Sequence, residues 1–403
     1  MTSGFLRIAI VLGLISAIGP FAIDMYLPAL PTIGADLGAS PLAVQMSLVV
    51  VFLSFAVGPL LVGPLADMYG RKPVMYWGLA VFAAASVGAA LAPDVEWLIF
   101  FRLLQGLGSS TGMVVPRAVV RDLHTGPEAT RLMSLLMLVF SVSPILAPLT
   151  GSIIIETFGW RAVFWAVTIA SVLAAVLMMF GLEETRPAEH RGGSSFAAAW
   201  AGYKFLSVHR TFVGLSLIGG FGIASFFVYL ANSSFVIIDH YGFSPSAYSL
   251  FFSVNAVSFF AVSQMSGWLT QRFGLNRVVR IAVFGYAAVI LAGFAVMASG
   301  LESLALMSVT LFVGYGFLGL VIPTTSVLAM EEHGEIAGTA SALMGTLHMV
   351  TGVVAMTVSG FFATGEPLPM MTGIAVCAAL ALLLTLVTLK REGRVEAVAA
   401  AAE

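Results

Sequence analysis

The chain has 403 residues, of which 59% are hydrophobic and only 9% charged, with a net charge of -2. An ordinary soluble domain is about 45–50% apolar and about 25% charged, so a water-facing globule cannot absorb this composition. Cys377 is the only cysteine, which excludes a disulfide framework and a thiolate metal site and leaves packing as its role.

A membrane-spanning helix needs about 20 residues nearly free of charge, and the charges mark out twelve such runs. The first leads from Arg7 to Asp24 and Pro28 with no small-residue cleavage site, and it reads as an uncleaved helix. Residues 37 to 66 and 73 to 93 carry no charge, and Gly63-Pro-Leu-Ala-Asp67-Met-Tyr-Gly70-Arg71-Lys72 forms the tight turn that joins them. The fourth run, Trp97 to about Pro116, is interrupted by Arg102 alone, and charge-free runs at 132 to 155 and 162 to 182 complete a first set of six. The longest polar interval follows, carrying Glu183-Glu184-Thr-Arg186-Pro187 and the flexible Gly192-Gly193-Ser194-Ser195. Six more charge-free runs occupy 211 to 238, 240 to 271, 281 to 301, 303 to 330, 336 to 365 and 367 to 389.

The expected architecture is therefore an all-α polytopic membrane protein. It has a six-helix bundle over 1–182, a cytoplasmic linker over 183–210, and a second six-helix bundle over 211–403 that ends in a short cytoplasmic tail. When the loops are assigned alternately, every base outside the spans except Arg161 falls on the side of the termini, which places both ends in the cytoplasm. Gly267-Trp-Leu269-Thr-Gln271-Arg272-Phe-Gly274 repeats Gly63, Leu65 and Gly70 at the same spacing after the second helix of the second set, with Gln271 where the first copy has an acid. A parallel two-fold repeat of this kind is a known plan for secondary transporters.

Gly63 to Lys72 resembles the loop signature of the major facilitator superfamily, and Arg102-Leu-Leu-Gln105-Gly106-Leu-Gly108 resembles its fourth-helix motif. Asp24-Met-Tyr-Leu-Pro28-Ala-Leu-Pro31, Val120-Arg121-Asp122, Phe158-Gly-Trp160-Arg161, Glu183-Glu-Thr-Arg186 and Gly338-Thr-Ala-Ser-Ala-Leu-Met-Gly345 together resemble the Bcr/CflA group of twelve-helix drug:proton antiporters. The resemblance covers the whole chain and departs from the family in two places. Met68 stands where a base commonly follows the acid of the loop. The fifth-helix antiporter motif reads Ala147-Pro148-Leu-Thr-Gly151-Ser152, keeping the proline and one of its glycines.

This likeness implies the major facilitator fold in the bacterial inner membrane and proton-coupled export of hydrophobic or amphipathic, antibiotic-like compounds by alternating access. A proton-coupled porter of a small metabolite or nutrient is the alternative. The implied partners are a drug-like small molecule, protons and the lipid bilayer, with no nucleic acid and a monomeric chain. Neither a cofactor nor a metal is expected. No nucleophile with a base is visible to suggest an enzyme, and no phosphate-binding loop to suggest ATP as the energy source.

Asp24 is the candidate for proton coupling, because carboxylates in poorly hydrated surroundings are suited to exchanging protons near neutral pH. At about 1.5 Å per residue it lies roughly 25 Å from the cytoplasmic edge, and Arg102 lies roughly 8 Å below the opposite edge, so the two fall at similar depth. That coincidence predicts Arg102 beside Asp24, holding it ionised. The other reading makes Asp24 a polar helix end, irregular because of Pro28, and Arg102 a packing base that donates to backbone carbonyls. Gln105 shares the face of Arg102 and is expected in its polar network, while Gly106, Gly108 and Gly112 permit close helix approach.

In the opening loop, Gly70 allows the tight turn, Gly63 is expected to let a neighbouring helix approach closely, and Asp67 is expected to cap exposed amides at a helix N-terminus. By resemblance, Asp67, Arg71 and Asp122 form a latch on one conformation; topology marking by Arg71 and Lys72 is the alternative. Candidate substrate contacts are Tyr26, Gln105 and Met113 in the first half. In the second half they are Ser225, Phe226, Tyr229, Asn232, Phe312 and Tyr315, with packing as their alternative role. His348 lies deep in an apolar run, where one packing hydrogen bond is expected. The acidic loop Glu331-Glu332-His333-Gly-Glu335 reads as solvated.

Overall fold

Backbone amides and carbonyls inside a bilayer must pair within their own segment, so long apolar runs become helices. The computed structural model describes residues 3–124, 126–186, 196–331 and 336–400. Gly192–Ser195 and Glu332–Glu335 lie outside the described residues. Among those described, twelve helical segments are long and apolar enough to cross a membrane, as the charge map predicts.

The first span runs from Phe5 to Leu37 and is broken. Helix α1 (Ser3–Asp24) gives way to a 3-10 turn at Leu27–Ala29 and then to α2 (Leu30–Leu37). Pro28 and Pro31 cannot donate backbone hydrogen bonds, so the α-ladder stops at Asp24. The first unit continues with α3 (Pro41–Tyr69), α4 (Arg71–Ala90), α5 (Val95–Leu123), α6 (Gly126–Phe158) and α7 (Arg161–Gly181). The hydroxyl of Ser40 and the carboxylate of Asp94 accept from the amides of Ala43 and Trp97, capping α3 and α5.

The second half contains α8 (Phe196–Val208), α9 (Arg210–Ser234) with a π-helical end at Phe235–His240, α10 (Pro245–Ser263) and α11 (Ser266–Phe273). It finishes with α12 (Leu275–Ala298), α13 (Leu304–Met330), α14 (Ala337–Phe361) and α15 (Pro367–Ala400). Two compact units result, one of Met1–Ser194 with Ile237–Ser253 and the other of Ser195–Val236 with Val254–Glu403. Segment 237–253 belongs to the first through α10. The Ser246 amide and hydroxyl donate to Glu156, and Ser249 and Ser253 donate to the carbonyls of Pro148 and Ile145.

Inside the first unit, α1 packs on α5, α6 and α7, while α4 packs on α5 and α7; inside the second, α9 packs on α13, α14 and α15, while α12 packs on α13 and α15. The packing repeats as the sequence does. Gly70 and Gly274, paired by spacing alone, have matching conformations of φ 100°, ψ 158° and φ 82°, ψ 147°, each closing one helix and opening the next with no loop between. A side chain with a Cβ is strained at such φ values, so both turns require glycine. Ile169, Leu173, Val176 and Phe180 form an exposed apolar stripe on α7, on the opposite side from buried Phe164, Val167, Ser171 and Met178. In water such a stripe would be a liability; against acyl chains it is the ordinary outer surface of a bundle.

Candidate functional site

Asp24 is the last residue of α1, only 6% exposed. Ser143 of α6 donates its hydroxyl to the Asp24 Oδ2 at 3.0 Å. Arg102, on α5, is fully buried and makes no ion pair with Asp24 within 4 Å among the described residues. Its Nη1 donates to the Ala22 carbonyl at 3.4 Å and to the Gln105 side chain, and Gln105 passes a bond of 2.7 Å to Ser86. The guanidinium lies 4.4 Å above the Tyr26 ring, whose hydroxyl meets Ser47 at 2.8 Å. The expected Asp24–Arg102 contact is therefore corrected. The Ala22 carbonyl at the end of α1 and the Tyr26 ring in the turn after it meet Arg102 of α5, while the Asp24 carboxylate between them meets Ser143 of α6. Similar depth holds; a shared face does not.

Desolvated cation–π contacts are worth about 2 kcal/mol or more, and here one replaces the expected carboxylate as the partner of Arg102. Sequence reasoning missed Ser143, yet Ser143, Ala147 and Gly151 recur at four-residue steps and all are buried. That small-residue stripe lets α6 approach α1, where a Cβ on Gly151 would sit 2.7 Å from the Met25 Cα. Gly106, Gly108 and Gly112 serve the same end, since Cβ atoms there would fall 2.7 Å from the Ser54 Cβ, 2.7 Å from the Gly78 carbonyl oxygen and 2.6 Å from the Ile15 carbonyl oxygen.

At the start of α4, Arg71 binds Asp67 at 2.7 Å and Asp122 at 2.9 Å, so the three residues of the expected latch meet. Two details differ from expectation. Asp67 does not cap a helix, because it stands one turn before Arg71 on the end of α3, where its carboxylate reaches Arg71 and Arg186 instead. Glu184 is the cap, accepting from the Arg71 amide at 2.9 Å and the Lys72 amide at 3.1 Å. Gly63 brings nothing close, because it lies on the exposed stretch of α3 beside Leu61 and Leu65, and a Cβ there would meet open space. Met68 is half-exposed.

The segment after α7 completes this network. Thr185 donates to Asp122 at 3.1 Å and Arg186 Nε to the Asp67 carbonyl at 3.1 Å. Its signal was the Glu-Glu-Thr-Arg string itself, which spacing alone could not tie to a turn more than a hundred residues earlier. Glu184→Ala leaves three backbone amides without their acceptor, including that of Arg186. A loss of about 1–2 kcal/mol is expected, read as a lowered melting temperature of the detergent-solubilised protein, with Glu183→Ala unchanged as control.

The candidate substrate contacts divide by unit. Tyr26 and Gln105 are buried in the Arg102 network, and Met113 is half-buried. In the second unit Tyr229 and Tyr315 meet edge to face at 5.4 Å, with Phe226 6.1 Å from Tyr315. The Tyr315 hydroxyl donates to the Ser225 carbonyl at 3.4 Å, and Asn255 of α10, not anticipated, donates to the Tyr229 hydroxyl at 3.1 Å. Asn232 turns to Val228 and Ser359, and Phe312 is exposed. Ser225, Phe226, Tyr229 and Tyr315 thus come together, whereas Asn232 and Phe312 stand apart. Among the described residues no group of three His, Cys, Asp or Glu could hold a metal ion.

Twelve apolar helices in two similarly packed sets, with Asp24 and Arg102 buried inside the first set, define a polytopic membrane transporter. A family model described as Major Facilitator Superfamily matches residues 12–356, and the chain belongs to that superfamily. It is 35% identical over 357 residues to the uncharacterized MFS-type transporter YdgK of Bacillus subtilis (strain 168), covering 88% of this chain and 89% of that one. It is 27% identical to a bicyclomycin resistance protein homolog of Haemophilus influenzae (92% and 93% covered) and 32% identical to the multidrug resistance protein MdtL of Klebsiella pneumoniae (strain 342), covering 60% and 62%. These relatives agree with the drug:proton antiporter resemblance. Among solved structures, a D-xylose–proton symporter superposes with a TM-score of 0.74 at 16% identity, covering 96% of this chain and 97% of that one, a likeness of fold alone.

Proposed function

We propose that this transporter exports hydrophobic or amphipathic, antibiotic-like compounds across the bacterial inner membrane in exchange for protons, by alternating access with both termini in the cytoplasm. The observation that carries the reading is Asp24, a buried carboxylate that accepts from the Ser143 hydroxyl and has no cation within ion-pair distance among the described residues. Such a group can gain or lose a proton without breaking an ion pair. Arg102 supports the same helix by its bond to the Ala22 carbonyl and its place over the Tyr26 ring, and so holds the end of α1 while the carboxylate changes state.

Names of relatives support the choice of cargo: two of the matched proteins are named for bicyclomycin and multidrug resistance. Tyr26, Gln105 and Met113 in one unit, and Ser225, Phe226, Tyr229, Asn232, Phe312 and Tyr315 in the other, are the proposed contacts. Aromatic and Met side chains suit varied amphipathic ligands. The latch is proposed as Asp67, Arg71 and Asp122 around the Gly70 turn, extended by Glu184, Thr185 and Arg186. The linker over 183–210 separates the proposed bundles.

The test is transport of a compound panel in everted membrane vesicles, with and without a proton ionophore. Export that stops when the ionophore is added supports the reading. Export indifferent to the proton gradient overturns it in favour of a uniporter.

A further inference from the structure

Helix α5 differs from the lipid-facing helices in what it leaves uncovered. Between Phe100 and Arg117 none of its residues is exposed, whereas α7 carries the apolar stripe of Ile169, Leu173, Val176 and Phe180. The next exposed positions of α5 are Arg117 and Arg121, one turn apart on the same face. Half-buried Met113 and Val114 stand a turn before Arg117, so this face passes from apolar to dibasic along the helix.

The two bases have no anion of their own. Among the described residues neither guanidinium forms an ion pair, and the contact recorded for Arg117 is with the Phe140 ring of α6, at 5.7 Å. Acids at this end of the unit are engaged elsewhere: Asp122 by Arg71 and Thr185, Asp67 by Arg71 and Arg186, Glu128 by His124. Like charges four apart on a helix destabilise each other, and here no acid offsets them. An anion between them removes that repulsion and gains charge-assisted bonds, since the guanidinium fork matches a carboxylate or a phosphate.

Depth fixes the orientation of a ligand on this face. At about 1.5 Å per residue Arg117 lies roughly 22 Å further along α5 than Arg102, close to the cytoplasmic border of a hydrocarbon core about 30 Å thick. An amphiphile with its acid head at that border and its apolar body towards Val114 and Met113 follows the same order of charged and apolar groups. A phospholipid follows it too, but a lipid-covered helix shows exposed apolar side chains along its span, as α7 does, and α5 shows none between Phe100 and Arg117.

We infer that Arg117 and Arg121 form an anion-recognising site for cargo, selecting amphipathic compounds that carry a carboxylate or phosphate head on an apolar body. This rests on the export reading above and names a class of cargo within it. The test is fluorescence binding, to the purified detergent-solubilised protein, of a dansyl-labelled undecanoic acid and of its methyl ester, which share a tail and differ in charge. The wild type should bind the acid more tightly than the ester. Arg117→Gln and Arg121→Gln should each weaken binding of the acid about tenfold or more, as loss of a hydrogen bond between charged groups predicts, and leave the ester unchanged. Arg131→Gln, which removes an exposed base of α6, should change neither. Equal binding of acid and ester by the wild type, an acid preference that survives in the double variant, or an equal loss in Arg131→Gln overturns the site.

Phosphatidylglycerol supplies the lipid arm. In nanodiscs that contain it the labelled acid should still bind, with the same dependence on both arginines; abolished binding there overturns the cargo assignment in favour of a lipid site. In everted vesicles the wild type should move the acid, and both variants should lose that movement while moving neutral compounds of the panel as before. Failure of the wild type to move the acid overturns the role in transport. The binding measurements need no proton gradient, so export indifferent to the ionophore overturns the antiport reading alone, and loss of the acid preference overturns this site alone.

Discussion

Asp24→Asn is expected to reduce proton-driven export to the background of vesicles lacking the protein, while ligand binding stays measurable. The substitution keeps the shape of the side chain, and its amide oxygen can still accept the Ser143 hydroxyl that now meets Oδ2 at 3.0 Å. The folded state should therefore change by less than about 1 kcal/mol, because no cavity, clash or unpaired charge is created. What disappears is the ability to exchange a proton. Binding of a fluorescent compound to the purified variant separates this loss from misfolding. Undiminished pH-gradient-dependent transport in Asp24→Asn would sink the assignment. Arg102 does not pair with the carboxylate, so export by Asp24→Asn is not expected to be rescued by also neutralising Arg102.

Gly151→Ala should damage the protein at the same place by steric means. The three nearest atoms to a Cβ there are all backbone of Met25, its carbonyl oxygen and carbon and a Cα at 2.7 Å, and backbone cannot turn aside as a side-chain tip can. Helices α1 and α6 must separate, at a cost of about 1–3 kcal/mol typical of overpacking. Because Met25 follows Asp24 and Ser143 lies two turns before Gly151, the separation stretches the one hydrogen bond on the carboxylate. A lowered melting temperature together with a shifted pH profile of transport is expected. Full stability with normal transport would show that the surviving glycine of the antiporter motif does not set this approach. The neighbouring Thr150→Ala, whose hydroxyl bonds only within its own helix, should leave both measurements unchanged.

The spans were legible because lipid imposes a rule on each segment separately: about 20 residues, few charges, every backbone group paired within the helix. Gly70 and Gly274 were legible as a repeated turn because only glycine adopts their φ freely. Gln105 was legible beside Arg102 because three residues on a helix share a face. Asp24 and Arg102 could be placed at one depth by counting residues, yet depth says nothing of rotation about the helix axis. Glu184 was visible as part of a motif, but not as the cap of α4.

Chain length, hydropathy and the distribution of bases thus give twelve spans, an expected grouping in sixes, an expected orientation and a short set of ionisable residues that lipid does not accommodate. Those properties belong to single segments, so a linear chain expresses them directly. The partners of these residues come from packing: Ser143 on Asp24, Tyr26 under Arg102, Glu184 on the amides of α4. In water, an amphipathic period would have told which face of each helix turns inward. Here most helices are apolar all round, lipid and core are alike in polarity, and the rotation of each helix is set by the close fit of small residues against a neighbour distant in the chain, as Gly151 fits against Met25.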